Sequence, residues 1–410
     1  MCKRKNHCHA ILVGSYLPIS IMQGLHKMYC DEDISSIVAQ KALINGLREN
    51  NVKISVFSVI AAHSRGLIKK IDCKINDIEY HAIIVKKIFY FDKLIKLFYY
   101  TPKIMRLIPN VNGANILLFV HGVTSGGCRT AGILKALFYK IKVVLYILDV
   151  PEFMNLAGDT GLRQLLKKID RYIINKYIYN FDKYIVVSEY INSRLHIDLQ
   201  KSILIEGMYD DEPIVVGGDE RNSLLKKRIM YAGTLRDERS IKTIIDAFLQ
   251  ANIHDVIFDI YGFATPKFSQ DLILISQQHP NIQYHGFCKN RGELLKKEMN
   301  ADLLLMLRDP CLEYTKYSFP SKLFEFMASG TPVLVSKLDG INDEYYNYLF
   351  VVENFNASEI ANCLNRIFKM PHNELKAFGE KAQEFIKQHK TAKVQVKKIL
   401  DFVVGDDEIA

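Results

Sequence analysis

The sequence predicts an α/β protein of two doubly wound domains, each a mainly parallel sheet with helices on both faces. Three observations lead there. Short apolar runs alternate with helical patterns along the chain. Most of these runs are continuous rather than alternating, as strands covered on both faces require. And 410 residues exceed what one hydrophobic core usually organises. Strand-like runs in the first half are AILV (10–13), VKISVFSVI (52–60), NILLFV (115–120), KVVLYIL (142–148) and YIVVS (184–188). A second series follows with RIMYAG (228–233), VIFDIYG (256–262), IQYHG (282–286), DLLLML (302–307), PVLVS (332–336) and LFVV (349–352). Between strands, SIKTIIDAFLQ (240–250) and EIANCLNRIF (359–368) show the 3.6-residue apolar period of helices lying on a sheet. Strand–helix alternation of this kind builds a doubly wound fold.

The two series part near residues 205–228. After the strand-like SILIEG comes MYDDEPIVVGGDERNS (208–223), which is polar, acidic and Gly-containing. This places a Rossmann-like domain at 1–205, a second at 206–385, and a C-terminal helix at 386–410 that packs back towards the first domain. The helical run from Asn373 to Val404 is long enough for that return. Two such domains would face each other across a cleft at the carboxyl ends of their strands, where ligands bind in this architecture.

Hydrophobic residues make up 49% and charged residues 24%, ordinary for a soluble globular chain. The net charge of +9 is unevenly placed. Residues 1–205 hold 29 Lys/Arg against 15 Asp/Glu (+14), and residues 206–410 hold 25 against 30 (−5). The first half therefore suits an anionic partner: an acidic membrane surface, a phosphorylated lipid or a nucleic acid. The eight cysteines, at 2, 8, 30, 73, 128, 288, 311 and 363, lack CxxC spacing and read as reduced thiols of a cytosolic protein. Cys2, His7, Cys8 and His9 have no distal partner pair, so no metal is expected there. The basic head and apolar run of residues 1–22 resemble a weak signal peptide. Gly14, Ser15 and Pro18 interrupt the run, and no small-residue cleavage site follows. A buried first strand, His9–Val13, turning at Gly14 explains the segment better. No stretch of about 18 uninterrupted apolar residues is present to span a membrane.

Residues 318–334, SFPSKLFEFMASGTPVL, concentrate the local signals. Pro320 suits a first helical turn, where its missing N–H costs nothing. Leu323, Phe324 and Met327 form a core-facing stripe, Gly330 is a C′ residue, and Pro332 stops the helix. A helix start exposes backbone N–H groups and favours an anion such as phosphate. Lys322 adds positive charge there, and Glu325 sits one turn further in.

Five segments of the second half occur together: GTLRDERSIKTIIDAF, DIYGF, NIQYHGF, ADLLLMLRD and FPSKLFEFMASGTPVL. In order and approximate spacing they resemble the nucleotide-sugar-binding domain of GT-B glycosyltransferases, in particular the retaining family 4 (glycosyl transferases group 1). The resemblance covers roughly residues 228–370. It is weaker over the first half, where VVSEYINSRL (186–195) is similar to the family's last strand and helix before the hinge. It implies a GT-B fold and transfer of a sugar from a UDP- or GDP-sugar to an acceptor hydroxyl. The acceptor implied is a lipid-linked or growing saccharide in surface polysaccharide or glycolipid synthesis.

The same resemblance assigns roles residue by residue. Ser321 and Lys322 would meet the donor diphosphate. Glu325 would accept from the ribose hydroxyls, as a carboxylate with several lone pairs suits a vicinal diol. Gly233 and Arg239 match the Gly and Lys of the family's G-R-L-x3-K-G segment, although Thr234 replaces its first basic residue and Ser240 its last Gly. Arg239 would clamp phosphate. Gly262 permits close backbone approach, and Gly286 and Phe287 match the nucleobase loop, with core packing an alternative for Phe287. In the first half, Gly14 and Ser15 form the turn that would approach the diphosphate from the other side. DVPEF (149–153) resembles the D-x-W-P-E stretch of relatives acting on lipid-linked acceptors. Asp149 would orient the acceptor hydroxyl or take its proton, or else cap a turn. His121 lies on the acceptor side, or is structural. One departure matters: the first Glu of the family's E-x7-E pattern falls at Tyr317, which leaves the sugar and the stereochemistry open.

The leaving diphosphate would be stabilised by Lys322, Arg239 and helix-end N–H groups, with Lys322, Glu325 and Asp149 as the catalytic set and no metal or other cofactor. With no second carboxylate evident as nucleophile, front-face attack would give retention. Two other readings stay open: a GT-B-shaped nucleotide-sugar 2-epimerase, which needs no acceptor, and a non-enzymatic nucleic-acid binder. Against the last, the basic residues of 86–106 interleave with long aromatics and no nucleic-acid motif occurs. That run carries Lys86, Lys87, Lys93, Lys96, Lys103 and Arg106 among Phe89, Tyr90, Phe91, Phe98, Tyr99 and Tyr100. With a second basic run at 163–184, it points to a cytoplasmic protein peripheral at the inner, anionic face of a membrane.

Overall fold

The computed structural model describes residues 8–18, 20–21, 34–62, 69–86, 95–108, 115–152, 162–210 and 226–405. The chain divides into two units, residues 1–210 with 391–410, and residues 211–390.

In the first unit, chain order is β1 (Cys8–Gly14), α1 (Ile34–Glu49), β2 (Lys53–Ala62), β3 (Lys69–Ile75), β4 (Ile78–Lys86), α2 (Thr101–Leu107), β5 (Asn115–His121) and α3 (Ser125–Leu137). Then come β6 (Ile141–Ile147), α4 (Leu162–Tyr177), β7 (Lys183–Val186), α5 (Tyr190–Leu195) and β8 (Ser202–Leu204). The sheet runs β3-β4-β2-β1-β5-β6-β7-β8. All neighbours are parallel except the edge hairpin β3–β4. That hairpin turns on Asn76 and Asp77, both with positive φ, as a tight primed turn demands. Neither strand is among the predicted runs: β3 (KKIDCKI) alternates between exposed and half-buried residues along an edge, whereas the buried AIIV run of β4 (82–85) carries the apolar signal and was missed. The sheet grows outwards from β1 on one side and restarts with β5 on the other, so its switch point lies between the ends of β1 and β5.

In the second unit, β9 (Lys227–Ala232), α6 (Glu238–Ala251), β10 (Val256–Tyr261), α7 (Pro266–Gln278), β11 (Ile282–Gly286), α8 (Arg291–Asn300) and β12 (Leu303–Met306) follow one another. After them come α9 (Lys322–Ala328), β13 (Val333–Ser336), α10 (Asp343–Tyr346), β14 (Phe350–Val352), α11 (Ala357–Phe368) and α12 (His372–His389). The sheet is wholly parallel in the order β11-β10-β9-β12-β13-β14, with its switch point between β9 and β12. Its core joins Ile229, Phe258, Ile260, Leu303 and Leu305 of the strands to Ile244 and Phe248 of α6 and to Ile360 and Leu364 of α11. Burying each such side chain contributes roughly 1.5–3 kcal/mol. The helices start where polar side chains accept their free N–H groups: Asp237 for α6, Thr265 for α7, Asn290 for α8 and Asn356 for α11.

Two local expectations change. The helical run to Val404 is two helices, because the chain breaks at Lys390 and Thr391 and restarts as α13 (Ala392–Val404). Thr391 caps the new helix, and Ala392 N–H donates to the Tyr209 carbonyl at 2.8 Å. α13 packs so closely on α1 that a Cβ at Gly46 would lie 2.5 Å from the Ala392 carbonyl oxygen. Likewise Pro320 does not occupy the first turn of α9. The helix begins at Lys322 with Ser321 as its N-cap, and Pro320 instead accepts the Leu323 N–H in the preceding turn. Gly330 does stand in the left-handed region, at φ 78°, where α9 ends. α12 closes that end: Gln383 donates to the Ala328 carbonyl at 2.7 Å.

Candidate functional site

The site residues of the second unit lie at strand ends and helix starts. β9, β10 and β11 are stitched together where they end. Gly233 N–H donates to the Tyr261 carbonyl at 3.1 Å, Gly262 N–H to the Gly286 carbonyl at 2.9 Å, and Leu235 N–H to the Phe263 carbonyl at 3.1 Å. Gly262 is a glycine for a reason internal to the fold: a Cβ there would stand 2.0 Å from the Gly233 carbonyl oxygen. The close approach expected at Gly262 is thus to Gly233. Gly286 has φ 69° with open space where a Cβ would be, and Phe287 beyond it is 54% exposed, so core packing does not explain Phe287. Phe263, just past Gly262, is exposed as well. Arg239 is exposed in the first turn of α6.

The densest electrostatic arrangement joins α8 and α9. Lys322 Nζ lies 2.6 Å from Glu325 Oε1 and 2.8 Å from Glu298 Oε1, and Arg291 Nη2 stands 3.4 Å from Glu325 Oε2. Lys322 is therefore not a bare cation at the helix start. The i,i+3 spacing puts Glu325 within its reach, and α8 supplies Glu298. Burial raises Glu325, but the Lys322 ammonium and then the Arg291 guanidinium outweigh it and hold that carboxyl below its usual value. Glu298 is fully buried, and Lys322 is the cation its carboxylate faces. Burial pushes it up to about 8 against the pull of Lys322, and the negative charge of Glu325 pushes the same way as burial. Glu298 and Arg291 were not singled out from the sequence. The signal was an acid on a core-facing position: Leu295 and Glu298 are buried while Lys296 and Lys297 between them are exposed. Ser321 is exposed and makes no side-chain cap. Tyr317, at the place of the family's first Glu, ends a short helical turn over Glu313–Lys316 and is half-buried.

A second buried carboxylate braces the sheet. Asp259 of β10 takes Arg228 Nη1 at 2.5 Å and His285 Nε2 at 2.7 Å, and the His285 ring stacks on Tyr261 at 4.4 Å. Burial opposes its charge, but those two donors hold Asp259 below its usual value.

In the first unit, Gly14 and Ser15 end β1 at the switch point. Gln40 of α1, fully buried, fills the space beside them. It accepts the Ser15 N–H at 2.8 Å, and a Cβ on Gly14 would lie 2.0 Å from its Oε1. The open side of Gly14 is therefore taken by Gln40, a residue that sequence reasoning did not single out. His121, buried at the end of β5, meets the Tyr146 ring edge-on at 5.3 Å. Asp149 is half-buried in the bend after β6, the strand beside β5. Glu152 of the DVPEF stretch takes Arg194 Nε at 3.0 Å, and Phe153 lies outside the described residues.

The two basic runs fare differently. Residues 87–94 of the first, with Lys87, Phe89, Tyr90, Phe91 and Lys93, lie outside the described residues. Of the rest, Tyr100 is core rather than surface, and Lys103 is paired with Asp72 at 2.8 Å rather than merely solvated. Phe98 is 72% exposed. In the second run, α4 turns Leu165, Ile169 and Tyr172 outwards at i, i+4 and i+7, all exposed, with Lys168, Arg171 and Lys176 exposed around them.

The terminal pair Cys2 and His7 is outside the described residues, while Cys8 and His9 are buried in β1, with His9 Nε2 2.9 Å from Ser55 Oγ. Among the described residues, no helix is long and apolar enough to cross a membrane.

Residues 219–385 match the family model described as Glycosyl transferases group 1. No curated protein matches the chain by sequence. Solved structures match nearly its whole length. One is an E. coli structure titled as trehalose-6-phosphate bound with UDP-2-fluoro glucose (TM-score 0.65, 11% identity, 96% of this chain and 98% of that one). Another is an α,α-trehalose-phosphate synthase (UDP-forming) from Burkholderia xenovorans in complex with glucose-6-phosphate (TM-score 0.64, 13% identity, 96% and 100%). A third, the α,α-trehalose 6-phosphate synthase from Burkholderia multivorans, has TM-score 0.64 and 11% identity over 98% of both chains. The fold is GT-B, residues 219–385 carry a group 1 glycosyltransferase domain, and the chain is a glycosyltransferase of the GT-B type.

Proposed function

We propose that the chain moves a hexose from a UDP- or GDP-sugar to an acceptor hydroxyl with retention, on a lipid-linked or growing saccharide of a surface polysaccharide or glycolipid. The observation that most supports this is the Lys322–Glu325–Arg291 cluster inside the segment that matches the group 1 model. Glu325, kept ionised by two cations, offers the acceptor oxygens a ribose diol needs. Lys322 meets the diphosphate by exchanging Glu325 for phosphate oxygens. Arg239 adds a second cation, so charge developing on the leaving diphosphate is stabilised as it forms. Phe287, exposed beside Gly286, offers a stacking face to the base. Asp149 serves the acceptor side by orienting the hydroxyl or taking its proton. That a similarly folded protein is titled with UDP-2-fluoro glucose favours uridine donors for the first trial.

The acceptor is met at an anionic membrane surface. The support is the +14 charge of residues 1–205 and the exposed Leu165–Ile169–Tyr172 stripe of α4 among its cations. Each cation near an anionic leaflet contributes roughly 1 kcal/mol.

The deciding experiment is a panel of UDP- and GDP-sugars scored by thermal shift, followed by product analysis with and without a saccharide acceptor. A bound donor at about 100 times its Kd stabilises by about 2.7 kcal/mol, which a melting curve resolves. A donor that shifts the melt and is consumed only with acceptor supports transfer, whereas conversion of free sugar nucleotide without acceptor would make the protein an epimerase. For the membrane, flotation with anionic liposomes should weaken with salt and drop when Lys168, Arg171 and Lys176 become Glu. Equal binding to neutral liposomes would refute docking.

A further inference from the structure

Glu298 is a fully buried acid that the proposed transfer does not use, set directly against the donor-site cluster. It has no exposure to solvent, and the charge that faces it is the Lys322 ammonium, 2.8 Å from Oε1. A carboxyl carried into a core with one ammonium as its cationic partner is costly, so a role merely in packing would be better filled by an apolar side chain. Its surroundings are few. α9 presents Lys322 and Glu325, α8 itself adds Arg291 on the far side of Glu325, and Thr331 donates to the Glu298 backbone carbonyl at 2.8 Å rather than to the side chain.

We propose that Glu298 is a positioning residue whose proton sets the charge of the donor site: protonated, it leaves the Lys322–Glu325–Arg291 cluster net positive, and ionised, it cancels that charge. This rests on the donor reading given above. Counting charges makes the mechanism plain. With Glu298 neutral, Lys322 and Arg291 outnumber the single Glu325 carboxylate, and the surplus charge is available to an anionic diphosphate. With Glu298 ionised, two cations face two carboxylates. Lys322 is then also held from below by a buried anion, so leaving Glu325 for a phosphate oxygen costs more. Burial favours the neutral form up to about pH 8. Donor binding is therefore strong at neutral pH and weakens as pH rises through that value.

The test uses the full-length chain and two probes, UDP-glucose and GDP-mannose, whose diphosphodiester charge stays constant across neutral and mildly alkaline pH. Calorimetric titrations at about pH 6.5 and about pH 9 bracket the transition. The tighter probe should lose about tenfold in Kd over that range in the parent, the effect of one unit charge several ångströms away at a partly exposed site. In Glu298→Gln, which keeps the shape and cannot ionise, the loss should be less than about threefold. Glu298→Met serves if Gln at this position does not fold. Melting curves give a second readout. An acid with a raised folded-state value costs stability as pH rises, so the neutral variant should gain on the parent between the same two pH values. A parent Kd that is flat with pH, or a variant that follows the parent's curve, overturns this inference alone. Failure of both probes to bind at either pH overturns the donor reading and this inference with it.

Discussion

A single methyl group at Gly262 should loosen the donor unit at the point where its strands end. A Cβ there would lie 2.0 Å from the Gly233 carbonyl oxygen and 2.9 Å from Leu235 Cγ. Carbon–oxygen contacts settle near 3.3 Å or beyond, so the ends of β9 and β10 must part by more than about 1 Å. Two hydrogen bonds hold them together, from Gly233 to the Tyr261 carbonyl and from Leu235 to the Phe263 carbonyl, each 3.1 Å. Losing one costs about 1 kcal/mol, and overpacking adds about 1–3 kcal/mol. The sum, about 2–4 kcal/mol, lowers the melting point of a unit this size by roughly 5–15 °C. Gly292→Ala is the control. Its Cβ would meet only Asn290 Oδ1 at 3.4 Å inside α8, and removing a helical glycine should be neutral or favourable by up to about 1 kcal/mol. Scanning calorimetry of the full chain, with the donor titrated in parallel, compares the two. Gly262→Ala melting within about 2 °C of the parent would refute the close approach of the two strand ends.

Glu325→Gln should weaken kcat/KM for the donor by about 1–3 kcal/mol, as loss of a charge-assisted acceptor does, with little change in melting temperature; unchanged donor affinity with a collapsed melt would make Glu325 structural. Lys322→Ala should depress turnover with every active donor, because the diphosphate is common to all, while Asp149→Asn should impair transfer and spare donor binding in a titration. Equal loss of donor binding in both would sink that division of labour. Asp259→Asn should destabilise the second unit near neutral pH. Because Arg228 and His285 hold the folded carboxyl low, its contribution is present above the unfolded value of about 3.9 and is lost as pH falls through the folded one. The gap between variant and parent melting curves should therefore close below about pH 4, and a gap independent of pH would refute it.

The architecture was legible because its signals are local. A buried parallel strand is a short apolar run, a helix on a sheet has a 3.6-residue stripe, and the caps are single residues such as Asn356 and Gly330. The runs at 228–233, 256–262, 282–286, 302–307, 332–336 and 349–352 correspond to β9 to β14. The edge strand β3 escaped because half of it faces solvent and its sequence is mostly charged. The break after α12 escaped because Lys390 and Thr391 interrupt no apolar period.

What the sequence determined by itself was the strand–helix alternation of the second unit and the residues at its strand ends, since these depend on neighbours a few positions apart. The spatial order of the strands, and with it the two switch points, is a property of the folded sheets. What only the tertiary structure decided was which groups share a charge or a space. Gln40 fills the side of Gly14 and takes the N–H of Ser15, 25 residues away in the chain. Gly262 is required by Gly233 on the adjoining strand, not by a ligand. Lys322, an open cation when read along the chain, is held between Glu325 on its own helix and Glu298 on another. Helical spacing alone brings Lys322 to Glu325, but no period along one segment reports the buried acid that α8 sets against them. Burial and pairing are properties of a packed interior, where distant segments remove each other's water.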